Sequence, residues 1–353
     1  MTTTNIEFAT QISFRMNTTK FCTWLLTTIA LCGCSSDKSY SKIQTSVPGL
    51  VLRLDFINND KNLAITSNRE MSIFSIDKNT RTVINSERPN SPCFGTTKDE
   101  KLLLCSNSNP YILDINTGMI LSKLEYYTYT TDCCFIGDEH VLFAGTQTVD
   151  LGIGGNALLA TVKNGAFSDL TPLAGCPKGA AWSCSAAKIA GGFRVAIGYS
   201  GNCLVDIVDF SIRKNKEITE QHRCRVPIQS DHVAMSGDGT RLGILTHESI
   251  VIYSISETGD AGKHAVIHLP RKDSRASTTH NSILTSAGHT LAISRHGDIA
   301  ACACNSGLFI AYVNSNKPSS HISLPTSCVA ISTDDKYVAA GHMNKVKLYH
   351  VQE

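Results

Sequence analysis

The chain has 353 residues, 42% of them hydrophobic and 18% charged, so it carries enough apolar material for one large all-β domain or two average ones. Lysine and arginine total 32 against 30 acidic residues, and this balance argues against a nucleic-acid-binding surface, which needs a basic excess on one face. The low charged fraction and the lack of a long Leu/Ala/Glu/Lys stretch also argue against a coiled coil or helical bundle.

The N-terminal segment has the pattern of an export signal. A positive region at Arg15 and Lys20 precedes an apolar run of about a dozen residues, which is too short to span a bilayer as a stable helix. The run ends in Leu31-Cys32-Gly33-Cys34, which resembles the bacterial lipobox. That resemblance implies cleavage after Gly33 and lipidation of Cys34, and the alternatives are an ordinary cleaved signal or a short buried helix.

This reading predicts three segments. Residues 1–33 form a lipoprotein-type signal peptide, with Met16 as a candidate true start; residues 34–40 form a lipidated tether; and residues 41–353 form the folded domain. Ser35, which follows the acylated cysteine, is not the Asp that resembles an inner-membrane retention signal. We therefore expect an exported protein anchored by lipid at the periplasmic face of the outer membrane rather than at the inner membrane.

After residue 40 one pattern recurs: an apolar strand, a turn of the type Ser-x-Asp-Gly, a second apolar strand, a polar turn and a third strand. The clearest turns lie at residues 236–239, 294–297 and 332–335. Asp, Asn and Gly suit such hairpins because they tolerate left-handed backbone. The second strand is apolar on both faces, as expected for a strand packed between two neighbouring sheets.

The spacing of these units predicts the architecture. The second strands begin at residues 63, 102, 141, 195, 242, 299 and 338, at intervals of 39, 39, 54, 47, 57 and 39. Blades of four-stranded propellers repeat at about 40–45 residues. We therefore predict an all-β fold, a seven-bladed β-propeller of four-stranded antiparallel blades. The last unit lacks a fourth strand, and residues 41–47 are predicted to supply it and close the ring.

The units resemble WD-repeat and related quinoprotein-like propeller blades. Gly288-His289 is similar to the Gly-His element of that family, whereas the Trp-Asp dipeptide is absent and third strands end in sequences such as Tyr253-Ser254-Ile255. The resemblance implies the fold, and the buried Asp-His-Ser-Trp network of typical WD blades is not carried over.

Cysteine is the most reactive residue type in this sequence, because it can form disulfides. Of the 14 cysteines, Cys22, Cys32 and Cys34 belong to the signal and the anchor, which leaves 11 in the domain. In an oxidising compartment some should pair. The candidate disulfide cysteines are Cys93 and Cys105, which could face each other across one hairpin, and Cys176, Cys184, Cys203 and Cys224, which fall within the fourth unit and whose connectivity stays open. The alternative is that several are buried and act as small hydrophobic residues.

The sequence contains no motif for a metal, a cofactor or a catalytic nucleophile. Cys302-Ala303-Cys304 and Cys133-Cys134 lack the Cys-x-x-Cys spacing of a zinc site. Asp206 and Asp209 are three apart on a predicted strand, so we expect them to face opposite sides and to act as turn carboxylates at strand ends. We therefore assign no catalytic, cofactor-binding or metal-binding residues.

Two segments are candidates for partner contacts. The first contains Tyr126, Tyr127 and Tyr129, because tyrosine is favoured in protein interfaces. Its alternative role is packing of strand-edge aromatics on the neighbouring blade. The second contains Arg271, Lys272 and Arg275, a cationic loop for acidic lipid or protein, whose alternative is an ordinary solvated loop.

These observations predict a lipid-anchored, non-enzymatic scaffold that binds other envelope proteins or peptides and binds no nucleic acid. The alternative is an extracytoplasmic propeller enzyme, lactonase-like or resembling a quinone-dependent dehydrogenase, with its site at the central channel. Such a site gathers residues from several blades and leaves no linear motif. Trp24 and Trp182 are few for a stacked quinone.

Overall fold

Every regular element in the described part of this computed structural model is a β-strand. The structure describes residues 43–85, 93–96, 102–106, 110–124, 128–137, 139–148, 157–177, 180–199, 203–212, 218–269, 290–304 and 307–351. The N-terminal segment with Cys34 lies outside these ranges. Among the described residues no helix is long and apolar enough to cross a membrane.

Six sheets are contiguous blades, each made of four consecutive strands in antiparallel order. Their strands are β2 Val51–Ile57, β3 Asn62–Ser67, β4 Met71–Ser75 and β5 Thr80–Asn85 in blade 1; β6 Cys93–Thr96, β7 Leu102–Ser106, β8 Tyr111–Asp114 and β9 Ile120–Lys123 in blade 2; β10 Thr128–Ile136, β11 His140–Thr148, β12 Ala157–Lys163 and β13 Ala166–Pro172 in blade 3; β14 Ala181–Ile189, β15 Gly192–Tyr199, β16 Leu204–Ile212 and β17 Ile218–Val226 in blade 4; β18 His232–Met235, β19 Arg241–Leu245, β20 Ser249–Ile255 and β21 Ala261–His268 in blade 5; and β22 Leu291–Ile293, β23 Ile299–Cys304, β24 Gly307–Tyr312 and β25 Ser320–Ile322 in blade 6.

The remaining sheet, which we call the composite blade, is not contiguous in sequence. It contains β26 Cys328–Ile331, β27 Tyr337–His342 and β28 Lys345–His350, and its fourth strand is β1 Gln44–Ser46 from the other end of the domain. Thr45 of β1 pairs antiparallel with Val346 of β28. Six blades are therefore complete within one stretch of chain. The sheet between blades 6 and 1 has its fourth strand only when the two ends of the domain pair.

The sheets form a closed ring through their first strands. The first strand of each sheet contacts the first strand of the next, and β2 of blade 1 contacts β26 of the composite blade. At this last junction the Ser327 hydroxyl donates to the Val51 carbonyl at 2.7 Å. The predicted all-β propeller with four-stranded antiparallel blades is confirmed.

The hydrophobic core lies between blades rather than at one centre. One cluster joins blades 3 and 4, another joins blade 1 to the composite blade, and others join blades 4 and 5 or 5 and 6. Second strands such as β23 Ile299–Cys304 are buried along their whole length, whereas the outer strand β21 is mostly exposed. Burying a Leu, Ile or Val side chain contributes about 1.5–3 kcal/mol, so these doubly covered strands dominate the stability of the ring.

A buried serine explains the recurring hairpin sequence. The hydroxyls of Ser236, Ser294 and Ser332 accept hydrogen bonds from the backbone N–H five residues later, at 2.8–3.0 Å. All three side chains are buried. The residue three positions after each serine has left-handed backbone, at Gly239 and Gly297 with φ of 72° and 77° and at Asp335 with φ of 60°. The repeat is therefore a turn in which the serine hydroxyl accepts a hydrogen bond from the first backbone N–H of the second strand. Gly or Asp at the left-handed position allows the chain to reverse direction.

Candidate functional site

The hairpins that join first to second strands interlock from one sheet to the next. Asp60 of blade 1 accepts bonds from Thr333 N at 2.9 Å, Thr333 Oγ1 at 2.6 Å and Asp334 N at 3.0 Å in the composite blade. Asp335 in turn accepts from Arg295 N of blade 6 at 3.1 Å. We call these carboxylate contacts, together with the contact of Asp238 with His296 between blades 5 and 6, the hairpin latches. They join blade 5, blade 6, the composite blade and blade 1 in series.

In the latch between blades 5 and 6, hydrogen bonds change the pKa of the carboxyl group. Asp238 Oδ2 lies 3.3 Å from His296 Nδ1, while Asp238 Oδ1 accepts from Ser236 Oγ at 2.7 Å and Thr240 N at 2.9 Å. Partial burial by itself would raise the pKa of Asp238, but the hydrogen bonds from Ser236, Thr240 and His296 outweigh it and lower the pKa below its usual value. Asp238 is therefore held as a carboxylate in the folded protein.

Asp335 has the opposite electrostatics. Partial burial raises its pKa, and the nearby carboxylates of Asp298 and Asp334 raise it further. The composite-blade hairpin is therefore a locally acidic part of this face. Within the described residues no group of three or more His, Cys, Asp or Glu side chains is arranged to hold a metal ion.

A buried polar network links first strands of four blades. Arg53 of β2 and Asp132 of β10 form an ion pair at 3.2 Å, with both side chains about 95% buried, and this contact joins blade 1 to blade 3. Asp132 Oδ2 also accepts from Ser183 Oγ at 3.2 Å and from the backbone N–H of Cys184 at 2.9 Å. Ser183 Oγ in turn lies 3.0 Å from His232 Nδ1 in blade 5. We call Arg53, Asp132, Ser183 and His232 the axial network.

The order of groups in the axial network does not match that of a hydrolase triad. In such a triad the imidazole stands between the serine and the carboxylate and takes the serine proton. Here the Ser183 hydroxyl stands between Asp132 and His232, and it also accepts from Val233 N at 3.2 Å. The serine is thus tied into the strands on three sides, as expected for a group that joins blades.

Sequence analysis did not single out the axial residues. One signal was present, because Arg53 stands between Leu52 and Leu54 in a mostly apolar strand. A charge in such a strand needs a partner. The partner lies 79 positions away in the chain, and only the ring brings it close.

Two further ion-pair clusters overturn the prediction that Asp206 and Asp209 are turn carboxylates at strand ends. Both lie inside β16 and are buried. Asp209 forms a two-pronged pair with Arg194, at 2.6 Å to both Nε and Nη2. Asp206 pairs with Arg223 at 2.9 Å and Arg225 at 3.0 Å. The prediction was wrong because strand position alone does not show that an arginine on β15 pairs with Asp209 and that two arginines on β17 pair with Asp206.

These arginines also join blade 4 to its neighbours. Arg194 Nη1 donates to the Gly239 carbonyl of blade 5 at 2.8 Å. Arg223 Nη2 donates to the Ala174 carbonyl, in the connection from blade 3, at 2.7 Å. Blade 4 is therefore fixed by charge-assisted contacts on both sides.

Several large apolar side chains on the outer strands are exposed. Met119 is 64% exposed, Val83 46% and Leu121 44%, and they lie on or beside the outer strands β5 and β9. Gly118 lies against the Ile84 carbonyl, which places the turn before β9 beside β5, while the Leu121 side chain lies on the side of β9 that faces Gly165 of blade 3. We call Val83, Met119 and Leu121 the rim patch. Sequence analysis did not find it, because alternation in an outer strand does not show which face remains uncovered.

The predicted partner-contact residues are largely outside the described part of the chain. Tyr126, Tyr127, Arg271, Lys272 and Arg275 all lie there. The backbone of Tyr129 is in β10, where it pairs with Thr146. Both segments remain predictions.

The structure places the backbone of all six candidate disulfide cysteines, and among the four whose side chains are described it shows no disulfide. In blade 2 the backbone register pairs Cys93 with Ser106 and Phe94 with Cys105, so the two cysteines are not directly opposite in the ladder. Cys176, Cys184, Cys203 and Cys224 are free thiols in the structure. The structure brings Cys184 close to Cys134 instead, with their sulfurs 3.8 Å apart. Disulfide formation by the predicted cysteines remains a prediction.

Comparisons with known proteins define the class of fold. No protein-family model matches the chain, and no curated protein matches it in sequence. The Cps50 (Swd1) β-propeller domain of Myceliophteria thermophila is similar in structure, with a TM-score of 0.64 at 10% identity over 88% of this chain and 100% of that one. Kuenenia stuttgartiensis hydrazine synthase is similar with a TM-score of 0.62 at 11% identity, covering 88% of this chain and 98% of that one. Identities this low show the fold alone, and that fold is a β-propeller.

Proposed function

We propose that this propeller is a non-enzymatic scaffold that binds other proteins, and that it is held at the cell envelope by a lipid on Cys34. The observation that carries the scaffold proposal is the rim patch. Its three exposed apolar side chains lie on or beside the outer strands of two neighbouring blades, and exposed apolar side chains that occur together are typical of protein contact sites, whereas single ones scattered over a surface are ordinary. The envelope location is supported by the lipobox-like sequence alone.

The arrangement of polar groups supports a rigid binding surface. The buried groups of the axial network bond to one another, and the hairpin latches join adjacent sheets across one face. A surface held in one conformation loses little entropy when a partner binds, which favours affinity.

A matched pair of substitutions tests the role of the rim patch. Met119 and Met343 are similarly exposed, at 64% and 62%, but Met343 lies outside the patch, between β27 and β28. Wild-type protein immobilised at physiological salt should capture a defined partner from a membrane extract. Met119→Asp should reduce that capture at least about tenfold, the effect of losing about 1.4 kcal/mol of binding free energy. Met343→Asp should leave it unchanged.

Two outcomes would contradict the proposal. One is capture that survives Met119→Asp unchanged, and the other is equal loss in both variants, which would point to a general effect of the added charge. Both variants should first show the thermal unfolding midpoint of the wild type, so that loss of capture reports on the surface.

The anchor is tested separately. With Cys34→Ala, or after globomycin treatment, the protein should move from the membrane fraction to the soluble fraction, and mass spectrometry of the untreated protein should find acyl chains on Cys34. An unmodified Cys34 in the membrane fraction would contradict the lipid anchor and leave the scaffold proposal standing.

The second candidate is an enzyme with a site at the central axis, and the close contact of Ser183 with His232 is the observation that favours it. Metal analysis and an absorbance scan of the purified protein test for the metal or quinone that such an enzyme would carry. A stoichiometric metal or a chromophore would favour the enzyme over the scaffold.

A further inference from the structure

Two cysteines from neighbouring blades meet at the junction of blades 3 and 4. The sulfur of Cys134 on β10 lies 3.8 Å from the sulfur of Cys184 on β14, across 50 positions of sequence. Cys184 is fully buried and Cys134 is half-buried. Both pack in the hydrophobic cluster between these blades, whereas the adjacent Cys133 packs in the cluster between blades 2 and 3.

We propose that Cys134 and Cys184 form a reversible disulfide that joins blade 3 to blade 4. The bond requires the sulfurs to approach to about 2.05 Å. Strands β10 and β14 are in direct contact, and bond formation requires rotation of both side chains together with a shift of these two strands. The inference does not depend on the scaffold function, because it concerns a covalent link inside the ring.

The oxidant is a disulfide, either a small one such as oxidised glutathione or that of a protein oxidant. The Cys134 thiolate attacks one sulfur of the oxidant, whose S–S bond breaks and releases one thiolate. The Cys184 thiolate then attacks the Cys134 sulfur of the mixed disulfide and expels the second thiol of the oxidant. The protein loses two electrons and two protons, and the oxidant, reduced to two thiols, takes them up.

Exposure fixes the order of the two attacks. A bulky disulfide reaches the half-buried Cys134 and not the fully buried Cys184. Burial also raises the pKa of the Cys184 thiol, and the contact with Cys134 and the charge of Asp132 raise it further. Cys134 is therefore the entry thiol and Cys184 the resolving thiol.

A second close pair of cysteines provides an internal control. The sulfurs of Cys302 and Cys304 are 3.7 Å apart, almost the same separation. These residues lie two apart on one extended strand, which holds their Cβ atoms about 6.6 Å apart, whereas a disulfide needs about 3.8 Å. This pair should stay reduced although its sulfurs are as close.

Peptide mapping distinguishes the proposed link from its alternatives. Trypsin cleaves after Lys123, Lys163, Lys178 and Lys188, which places Cys133 and Cys134 on peptide 124–163, Cys176 on 164–178 and Cys184 on 179–188. The folded, reduced protein is treated with oxidised glutathione, its remaining thiols are alkylated in denaturant, and it is digested without reduction. We expect peptides 124–163 and 179–188 as one species, lighter by two hydrogen atoms than the sum of the two peptides with Cys133 alkylated, and separated by reductant.

Single substitutions assign the sulfurs. Cys134→Ser should abolish the linked species, and Cys133→Ser should leave it. Cys184→Ser should leave Cys134 as a stable mixed disulfide with glutathione. Cys302 and Cys304 should be alkylated throughout. The linked protein should also unfold several degrees higher than the reduced protein, and the difference should vanish in Cys134→Ser.

Three results would overturn the proposal: complete alkylation of Cys134 and Cys184 after oxidation, a link from Cys184 to Cys176, or glutathione retained on Cys134 in the wild type without resolution. If one serine variant fails to fold, the wild-type peptide map still decides between these results and the proposed link.

Discussion

Asp60 allows a direct test of how the ring is closed. Its carboxylate holds Thr333 and Asp334 of the composite blade through three hydrogen bonds of 2.6–3.0 Å. The two backbone donors use different carboxylate oxygens, so an amide retains one acceptor and turns an NH₂ group toward the other donor. Asn also tolerates the left-handed backbone at this position, where φ is 65°. Asp60→Asn therefore changes the contacts and not the backbone preference.

The expected cost of Asp60→Asn follows from these contacts. A hydrogen bond to a charged group contributes about 1.5–3 kcal/mol, and the partial exposure of Asp60 places this one at the low end. We expect a loss of about 1.5 kcal/mol, a fall of about 2–5 °C in the midpoint of thermal unfolding, and faster amide exchange in β1 Gln44–Ser46.

Asp335→Asn is the matched control. Asp335 also has left-handed backbone, but it accepts one backbone bond, from Arg295, at a junction that the chain itself connects. Its substitution should cost less and should leave amide exchange in β1 unchanged. Equal losses of stability in the two variants, or unchanged exchange in β1 with Asp60→Asn, would refute the argument that Asp60 closes the ring.

Three other predictions concern polar groups that are buried or half-buried. Arg194→Met should cost about 3–5 kcal/mol in urea unfolding because it leaves Asp209 buried and unpaired, and adding Asp209→Leu should restore part of that loss; a double variant no more stable than the single one would contradict this. Asp238→Asn should be less stable than the wild type near neutral pH. Because folding lowers the pKa of Asp238, its contribution is present above the unfolded pKa and is lost as pH falls through the folded pKa, so the two unfolding free energies should converge only at pH values below the folded pKa. Ser183→Ala should cost about 1–3 kcal/mol by removing a donor to the buried Asp132, and a loss below about 0.5 kcal/mol would show that the axial network does not stabilise the ring.

The repeating hairpins could be predicted because their information is local. Ser236, Asp238 and Gly239 form their turn through contacts within five residues of chain, so the same turn appears wherever the pattern recurs. The role of β1 was also predictable. A C-terminal unit with three strands leaves an open edge, and in a closed ring the N-terminal segment lies next to that edge and can pair with it.

The contacts between blades were not predictable in this way. Asp206 and Asp209 were expected to be turn carboxylates, yet each is buried against arginines of the adjacent strands. Cys184 was a candidate disulfide cysteine without an assigned partner, and it lies beside Cys134, which was not among the candidates. In each case the strand was correctly placed and the partner was not, because the partner depends on register and on which blade packs alongside.

The sequence by itself determined the β-strand rhythm, the hairpin turns and the propeller class, since these follow from hydrophobic period and turn chemistry within short stretches of chain. Only the tertiary structure decided that Arg53 meets Asp132, that Asp60 holds the composite blade and that Val83 and Met119 stay exposed. The physical reason is that closing the ring brings together residues tens to hundreds of positions apart, and no periodicity along the chain encodes which side chains then come into contact.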